Sequence, residues 1–262
     1  MSARAITLIT GASSGIGVAL ARVFARNGHE LALVARRKAR LEALADEIEK
    51  AHGKRPLVIA ADLAKPDART KIAHALIDAD AEPQYVVNNA GFGLFTVAAD
   101  GDRNRQLAMI DVNMRALAAL SLMFVPSLER HRGGVINVGS MAGFMPGPGM
   151  AVYYASKAFV RSFTDSLHRE WRNRGIRVTN LAPGPVPTEF GRQAGVVDDT
   201  APELLTQTAE RVAELGYRGL MQGRALVVPG ALNRVAIVLS RFVPRSLILS
   251  MVERRQARRK AA

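Results

Sequence analysis

Cysteine is absent from the 262 residues, which excludes disulfides, a thiol nucleophile and any Cys-based metal site, and fits a reducing compartment. The five histidines, at 29, 52, 74, 131 and 168, show no HxH or HExxH spacing, so no metal site is expected. Aromatic residues make up only 5 % of the chain, and none forms a stacking platform beside the basic residues. Nucleic acid is therefore not the expected partner, despite a net charge of +13. No apolar run reaches the roughly 18 residues of a spanning helix. A strand pattern begins at Ile6, leaving no room before it for a secretory leader. A cytoplasmic chain is expected.

The basic excess is localised. From residue 221 to 262 there are nine Lys or Arg and one acid, Glu253, which leaves a net of +5 for the other 220 residues. A solvated helix end is one reading of this tail. Contact with a membrane surface or an acidic partner is the other.

With 48 % hydrophobic residues the chain can bury a large core as one domain. Short Val/Ile/Leu-rich runs at 5–10, 30–35, 57–61, 85–88, 134–139 and 177–182, with 225–228 as a seventh, alternate with amphipathic stretches. That rhythm predicts βαβ units and a parallel sheet covered on both faces. Helices are predicted over 16–27, ending near Gly28, and over 38–52, 67–78 and 153–174, with two in succession over 102–132. After Thr188 the pattern changes: 190–200 reads as a loop, 202–215 as a helix with Pro in its first turn, and 231–242 and 244–255 as apolar and basic helices.

The first strand runs into Thr10-Gly11-Ala12-Ser13-Ser14-Gly15-Ile16-Gly17. Such a turn offers backbone N–H groups at the positive end of a helix dipole, where pyrophosphate binds. Gly11 permits the exit from the strand, and Gly15 and Gly17 let phosphate and helix come close. The second strand ends in Ala35-Arg36-Arg37, without the carboxylate that would bind an unphosphorylated ribose. Two guanidiniums there suit a 2′-phosphate, so NADP(H) is the expected cofactor and NAD(H) the alternative. Asp62-Leu63 ends the third strand, where it can accept from an adenine amino group. Asn88-Asn89-Ala90-Gly91 ends the fourth.

Tyr153 and Lys157 share a helix face at four-residue spacing. A neighbouring ammonium is expected to lower the phenol from about 10 toward neutrality, making it an acid and base. Tyr154 is a rival at three-residue spacing. Ser140 follows the fifth strand at its carboxyl end, where open α/β sheets bind ligands, and its hydroxyl can hold a carbonyl.

Taken in order, TGASSGIG (10–17), Asp62-Leu63, NNAG (88–91), Asn113, Ser140, YYASK (153–157) and PGPVPT (183–188) resemble the short-chain dehydrogenase/reductase family over residues 5 to about 190. The resemblance implies a Rossmann-type doubly wound parallel sheet, one domain over 1–262. Residues 189–262 would form a substrate loop and C-terminal helical extension. It also implies a Ser140–Tyr153–Lys157 centre. Asn113 would hold a relay water, Tyr153 would protonate the forming alkoxide, and Lys157 would lower its pKa and hold the nicotinamide ribose. Ser13, Ser14, Ile16, Asn89, Ala90 and Gly91 would line the dinucleotide groove. Val186 and Thr188, after Pro183-Gly184, would meet the carboxamide. The family implies a homodimer or homotetramer. The chain departs from many relatives after Val228, where Pro229-Gly230 leads into basic helices instead of a glycine-rich strand segment.

The expected activity is NADPH-dependent reduction of a hydrophobic ketone, aldehyde or 3-oxoacyl group. Phe92, Leu94, Phe95, Met141, Phe144, Met145, Met150 and Phe190 are the candidates for the mouth. A non-catalytic dinucleotide sensor and a membrane-peripheral reductase are the competing readings.

Overall fold

The computed structural model describes residues 3–195, 202–240 and 242–261, with side chains through Arg254. Seven parallel strands form one sheet in the order β3-β2-β1-β4-β5-β6-β7. They are β1 (Arg4–Thr10), β2 (Leu31–Ala35), β3 (Leu57–Ala60), β4 (Ala81–Asn88), β5 (Gly134–Val138), β6 (Arg177–Leu181) and β7 (Leu226–Val227). Strand order reverses between β1 and β4, and the crevice beyond their carboxyl ends is where such sheets bind ligands.

The period of two along each strand divides the core. Ile9, Leu33, Val87 and Ile136 face one layer, made by α1 (Gly15–Arg26), α2 (Lys38–His52) and α9 (Ala209–Met221). Leu8, Val34, Val86, Val135 and Val178 face the other. There α3 (Ala68–Asp78), α5 (Leu117–Met123), α6 (Val125–Arg130) and α7 (Ala151–Glu170) supply Ile72, Leu120, Leu128 and Leu167. The remaining helices are α4 (Arg103–Ile110), α8 (Glu189–Ala194), α10 (Ala231–Ser240) and α11 (Arg245–Ala261).

The doubly wound sheet follows the sequence reading; four boundaries do not. β4 starts at Ala81 and contains Pro83. Its register against β1 slips between Ile6 and Thr7, so Gln84 bulges out where the imide nitrogen has no hydrogen to give. The predicted helix pair at 102–132 is broken by a π-helical turn, Asp111–Ala116, and again at Phe124. Residues 189–194 form a helix instead of a loop, capped by the Thr188 hydroxyl, which accepts from Phe190 N at 3.3 Å; 196–200 lie outside the described residues. The helix predicted over 202–215 is a 3₁₀ turn, Glu203–Leu205, followed by α9. The Thr208 hydroxyl caps α9 by accepting from Arg211 N at 3.1 Å.

Candidate active site

The turn between β1 and α1 is held from below. Thr10 Oγ1 accepts from the backbone N of Asn89 and of Ala90, both at 3.1 Å. The Asn89 amide donates to Thr10 O and Gly11 O at 3.0 and 3.2 Å. A Cβ on Gly17 would stand 2.2 Å from Gly11 O and 2.6 Å from that amide, so nothing larger than glycine fits. Gly15 has φ +54°, in the left-handed region, and Thr188 closes over it. No side chain caps α1 at Ser14, so its first amides face the cleft without a side-chain partner, as a phosphate cradle requires.

This cleft encloses about 1100 Å³. Gly11, Ser13, Ser14, Gly15 and Ile16 form one wall, with Arg36, Arg37, Asp62 and Leu63 at the far end. Asn89, Ala90, Gly91, Ser140, Tyr153, Lys157, Pro183, Gly184, Val186 and Thr188 complete it. Of the predicted site residues, only Gly17 and Asn113 lie behind the lining. Asp62 Oδ1 accepts from Ala64 N at 3.1 Å, which leaves its other oxygen to the cleft.

The two arginines are not equivalent. Arg36 is exposed at the rim. Arg37 donates to the Ser13 hydroxyl at 3.1 and 3.2 Å and to Glu189 at 2.8 Å. Arg40 reaches the same carboxylate at 2.6 Å. These guanidiniums hold Glu189 down at about 2. The carboxylate thus belongs to α8 yet anchors at the end of β2. Nothing in the local sequence signals that pairing, because 152 residues separate its partners.

At the other end, the hydroxyls of Ser140 and Tyr153 are hydrogen-bonded to each other, and Ser140 Oγ also accepts from Ala142 N at 3.1 Å. Lys157 is 5 % exposed, donates to Val138 O at 2.8 Å, and lies 5.9 Å from the Tyr153 ring centroid. Tyr154 also lines the cleft, with its ring packed against Gly147; the Ser140 contact belongs to Tyr153.

The expected electrostatics are reversed. Burial pushes the Tyr153 phenol up to about 12, Ser140 opposing and Tyr154 adding to the rise. Burial also lowers the Lys157 ammonium to about 8. Nζ is turned to the Val138 carbonyl on β5, and burial is the largest influence on the phenol. The Asn113 amide is likewise committed: it donates to Phe92 O and Ser156 Oγ at 3.0 Å and accepts from Phe92 N at 3.1 Å. It therefore pins the loop that carries Gly91.

Of the predicted mouth residues, Phe92, Met141, Met145, Met150 and Phe190 line the cleft. Leu94, Phe95 and Phe144 do not. Phe95 packs behind Met150, and Phe144 carries the Arg161 guanidinium 4.1 Å above its ring. Arg105, Leu205 and Val252 line it unforeseen, because tertiary folding alone brings α4, the 3₁₀ turn and α11 to the rim.

A Gly-rich cradle at the switch point, opening onto a Ser–Tyr–Lys cluster, defines a nicotinamide-dinucleotide oxidoreductase of the Rossmann class. A family model for short chain dehydrogenases matches residues 5–199. The chain is 39 % identical to sulfoacetaldehyde reductase of Chromohalobacter salexigens, over 79 % of its own length and 84 % of that protein's. It is 39 % identical to serine 3-dehydrogenase of Agrobacterium fabrum, over 70 % and 72 %. A short-chain dehydrogenase from Sphingobium yanoikuyae, solved with NADPH, superimposes with a TM-score of 0.79 at 31 % identity, over 92 % and 97 %. The protein belongs to the short-chain dehydrogenase/reductase family, whose members use NAD(P) to interconvert CH–OH and carbonyl groups.

Proposed function

We propose that the protein is an NADPH-dependent reductase of an apolar ketone, aldehyde or 3-oxoacyl group. The observation that carries this is the Tyr153 phenol beside Ser140 and Lys157, in a cleft whose mouth is Phe92, Met141, Met145, Met150 and Phe190. Bound NADPH supplies the hydride. Ser140 orients the carbonyl oxygen toward Tyr153, and the phenol gives up its proton as charge builds on that oxygen. Lys157, whose Nζ lies near Gly91, would bind the ribose side of the nicotinamide. Arg36 is the guanidinium left for a 2′-phosphate while Glu189 holds Arg37.

Replacing Tyr153 by Phe is the test: NADPH affinity stays, measured by nucleotide fluorescence, and carbonyl turnover falls by about 10²–10⁴-fold. Unchanged turnover removes Tyr153 from the mechanism. The intact Ser140–Tyr153–Lys157 set speaks against a non-catalytic sensor.

A second substrate reading is favoured by Arg105, a guanidinium at the rim. It suits a small carbonyl compound bearing a carboxylate or sulfonate, the chemistry in the names of the sulfoacetaldehyde and serine relatives. A carbonyl panel read by NADPH oxidation, run also with Arg105→Leu, separates the two: loss only on anionic substrates selects the second. Exposed Leu107, Leu122 and Met123 on α4 and α5 support a homodimer or homotetramer through those helices. We propose a cytoplasmic location, since a chain without cysteine fits a reducing compartment.

A further inference from the structure

α10 is seated by a narrow inner face. Asn233 and Ile237 are buried, and the Asn233 amide donates to Pro229 O at 2.8 Å and Leu205 O at 3.1 Å. Gly184 leaves room for that amide: a Cβ there would stand 2.5 Å from it. The outward face of a surface helix is ordinarily polar. Here Leu232, Val235, Val238 and Leu239 are exposed at helical spacing, and Phe242, just beyond the helix, is 81 % exposed. Arg234 is the one charged residue of α10. In α11, Leu247 and Met251 stand exposed four residues apart, while Val252 turns inward and lines the cleft. The helix then runs on through Arg254, Arg255, Arg258, Arg259 and Lys260. An apolar face, a run of basic sequence and one wall of the ligand cleft therefore belong to the same two helices.

We propose that the outer face of α10 with the adjoining face of α11 docks on an anionic lipid bilayer and holds the cleft mouth against it. Charge selects this occupant. A two-fold axis through the face would set the +8 of residues 221–262 against itself, with Glu253 as the one offsetting acid in that segment. Anionic headgroups neutralise that charge, and the apolar residues enter the boundary between headgroups and acyl chains. The docked pose deepens the reading of an apolar substrate, since a carbonyl compound partitioned into the bilayer would meet Val252 and Leu205 on entering. Among the described residues no helix is long and apolar enough to cross a membrane, so the contact is peripheral.

The test is flotation of the full chain with vesicles of phosphatidylcholine, with and without phosphatidylglycerol. The wild type floats with the anionic vesicles, weakly with the neutral ones, and progressively less as salt rises. Val238→Glu/Phe242→Glu reduces flotation about tenfold or more, and Arg254→Glu reduces it less. All three proteins retain NADPH binding and turnover of a water-soluble aldehyde. Equal recovery of the double variant with anionic vesicles, or no flotation of the wild type, overturns the proposal. So does a wild-type dimer in vesicle-free sedimentation that the double variant converts to monomer, which would assign the face to a second copy. Turnover is scored apart: a chain that floats but reduces no carbonyl leaves docking standing and removes the reductase reading.

Discussion

Lys157 shows how far environment moves a side chain whose type alone suggests a fixed charge. Its ordinary value of 10.5 falls to about 8 because Nζ is enclosed and faces a carbonyl instead of a carboxylate. Between those values the unfolded chain binds the extra proton, so this group's contribution to stability rises with pH above 8 and is lost as pH falls through 8. Tyr153 acts in the opposite sense, but only above pH 10. In urea unfolding between pH 8 and pH 10, the wild type is expected to gain stability relative to Lys157→Met, by up to about 3 kcal/mol. Parallel curves would mean the amine is as well hydrated as in the unfolded chain. Glu189 is the other residue whose role is set by its partners. Glu189→Gln frees Arg37 and Arg40, and titration should show NADPH binding several-fold tighter with NADH unchanged. Weaker NADPH binding would mean that the carboxylate instead holds Arg37 ready for phosphate.

Elements in this fold place polar groups that their own sequences cannot satisfy. Asn88, Asn137 and Asn180 stand in register across β4, β5 and β6. Asn88 donates to Asn137 Oδ1 and to Ser121 Oγ at 2.9 Å, and Asn137 donates to Thr164 Oγ1 at 3.0 Å. The sequence shows each as an isolated polar residue in an apolar strand; only pairing of β4 with β5 makes a network, which ties the sheet to α5 and α7. Asn137→Leu is expected to cost about 1–3 kcal/mol in urea unfolding, because the Thr164 hydroxyl and the Asn88 amide each lose a partner. The β1–α1 turn has the reverse property, since its glycines are readable one by one. Gly17→Ala forces a methyl against Gly11 O and is expected to reduce both NADPH affinity and melting temperature. An unaltered melting temperature would show that the turn can relax. Sequence spacing also missed the break at Asp111–Ala116, because apolar periodicity does not distinguish one π-helical turn from α-helix. That turn is where Asn113 reaches Phe92.

At the scale of the molecule, one sheet serves two ends of the same cleft. β1 and β2 carry the glycine-rich turn, β5 and α7 carry Ser140, Tyr153 and Lys157, and the first turn of α8 meets both, with Glu189 on Arg37 and the neighbouring Phe190 5.5 Å from the Tyr153 ring. Sedimentation velocity tests the assembly proposed for α4 and α5: Leu122→Glu/Met123→Glu should convert an oligomer to monomers without loss of NADPH binding.

The parallel sheet, the glycine-rich turn after β1 and the four-residue spacing of Tyr153 and Lys157 were legible in the sequence alone. Strand periodicity, glycine at sterically closed positions and helical spacing are all local properties. Tertiary structure decided the direction of the Tyr153 and Lys157 shifts, the capture of Arg37 by Glu189 and the arrival of Val252 at the rim. Burial and ion pairing depend on which distant segments come to lie side by side, and spacing along the chain does not encode that.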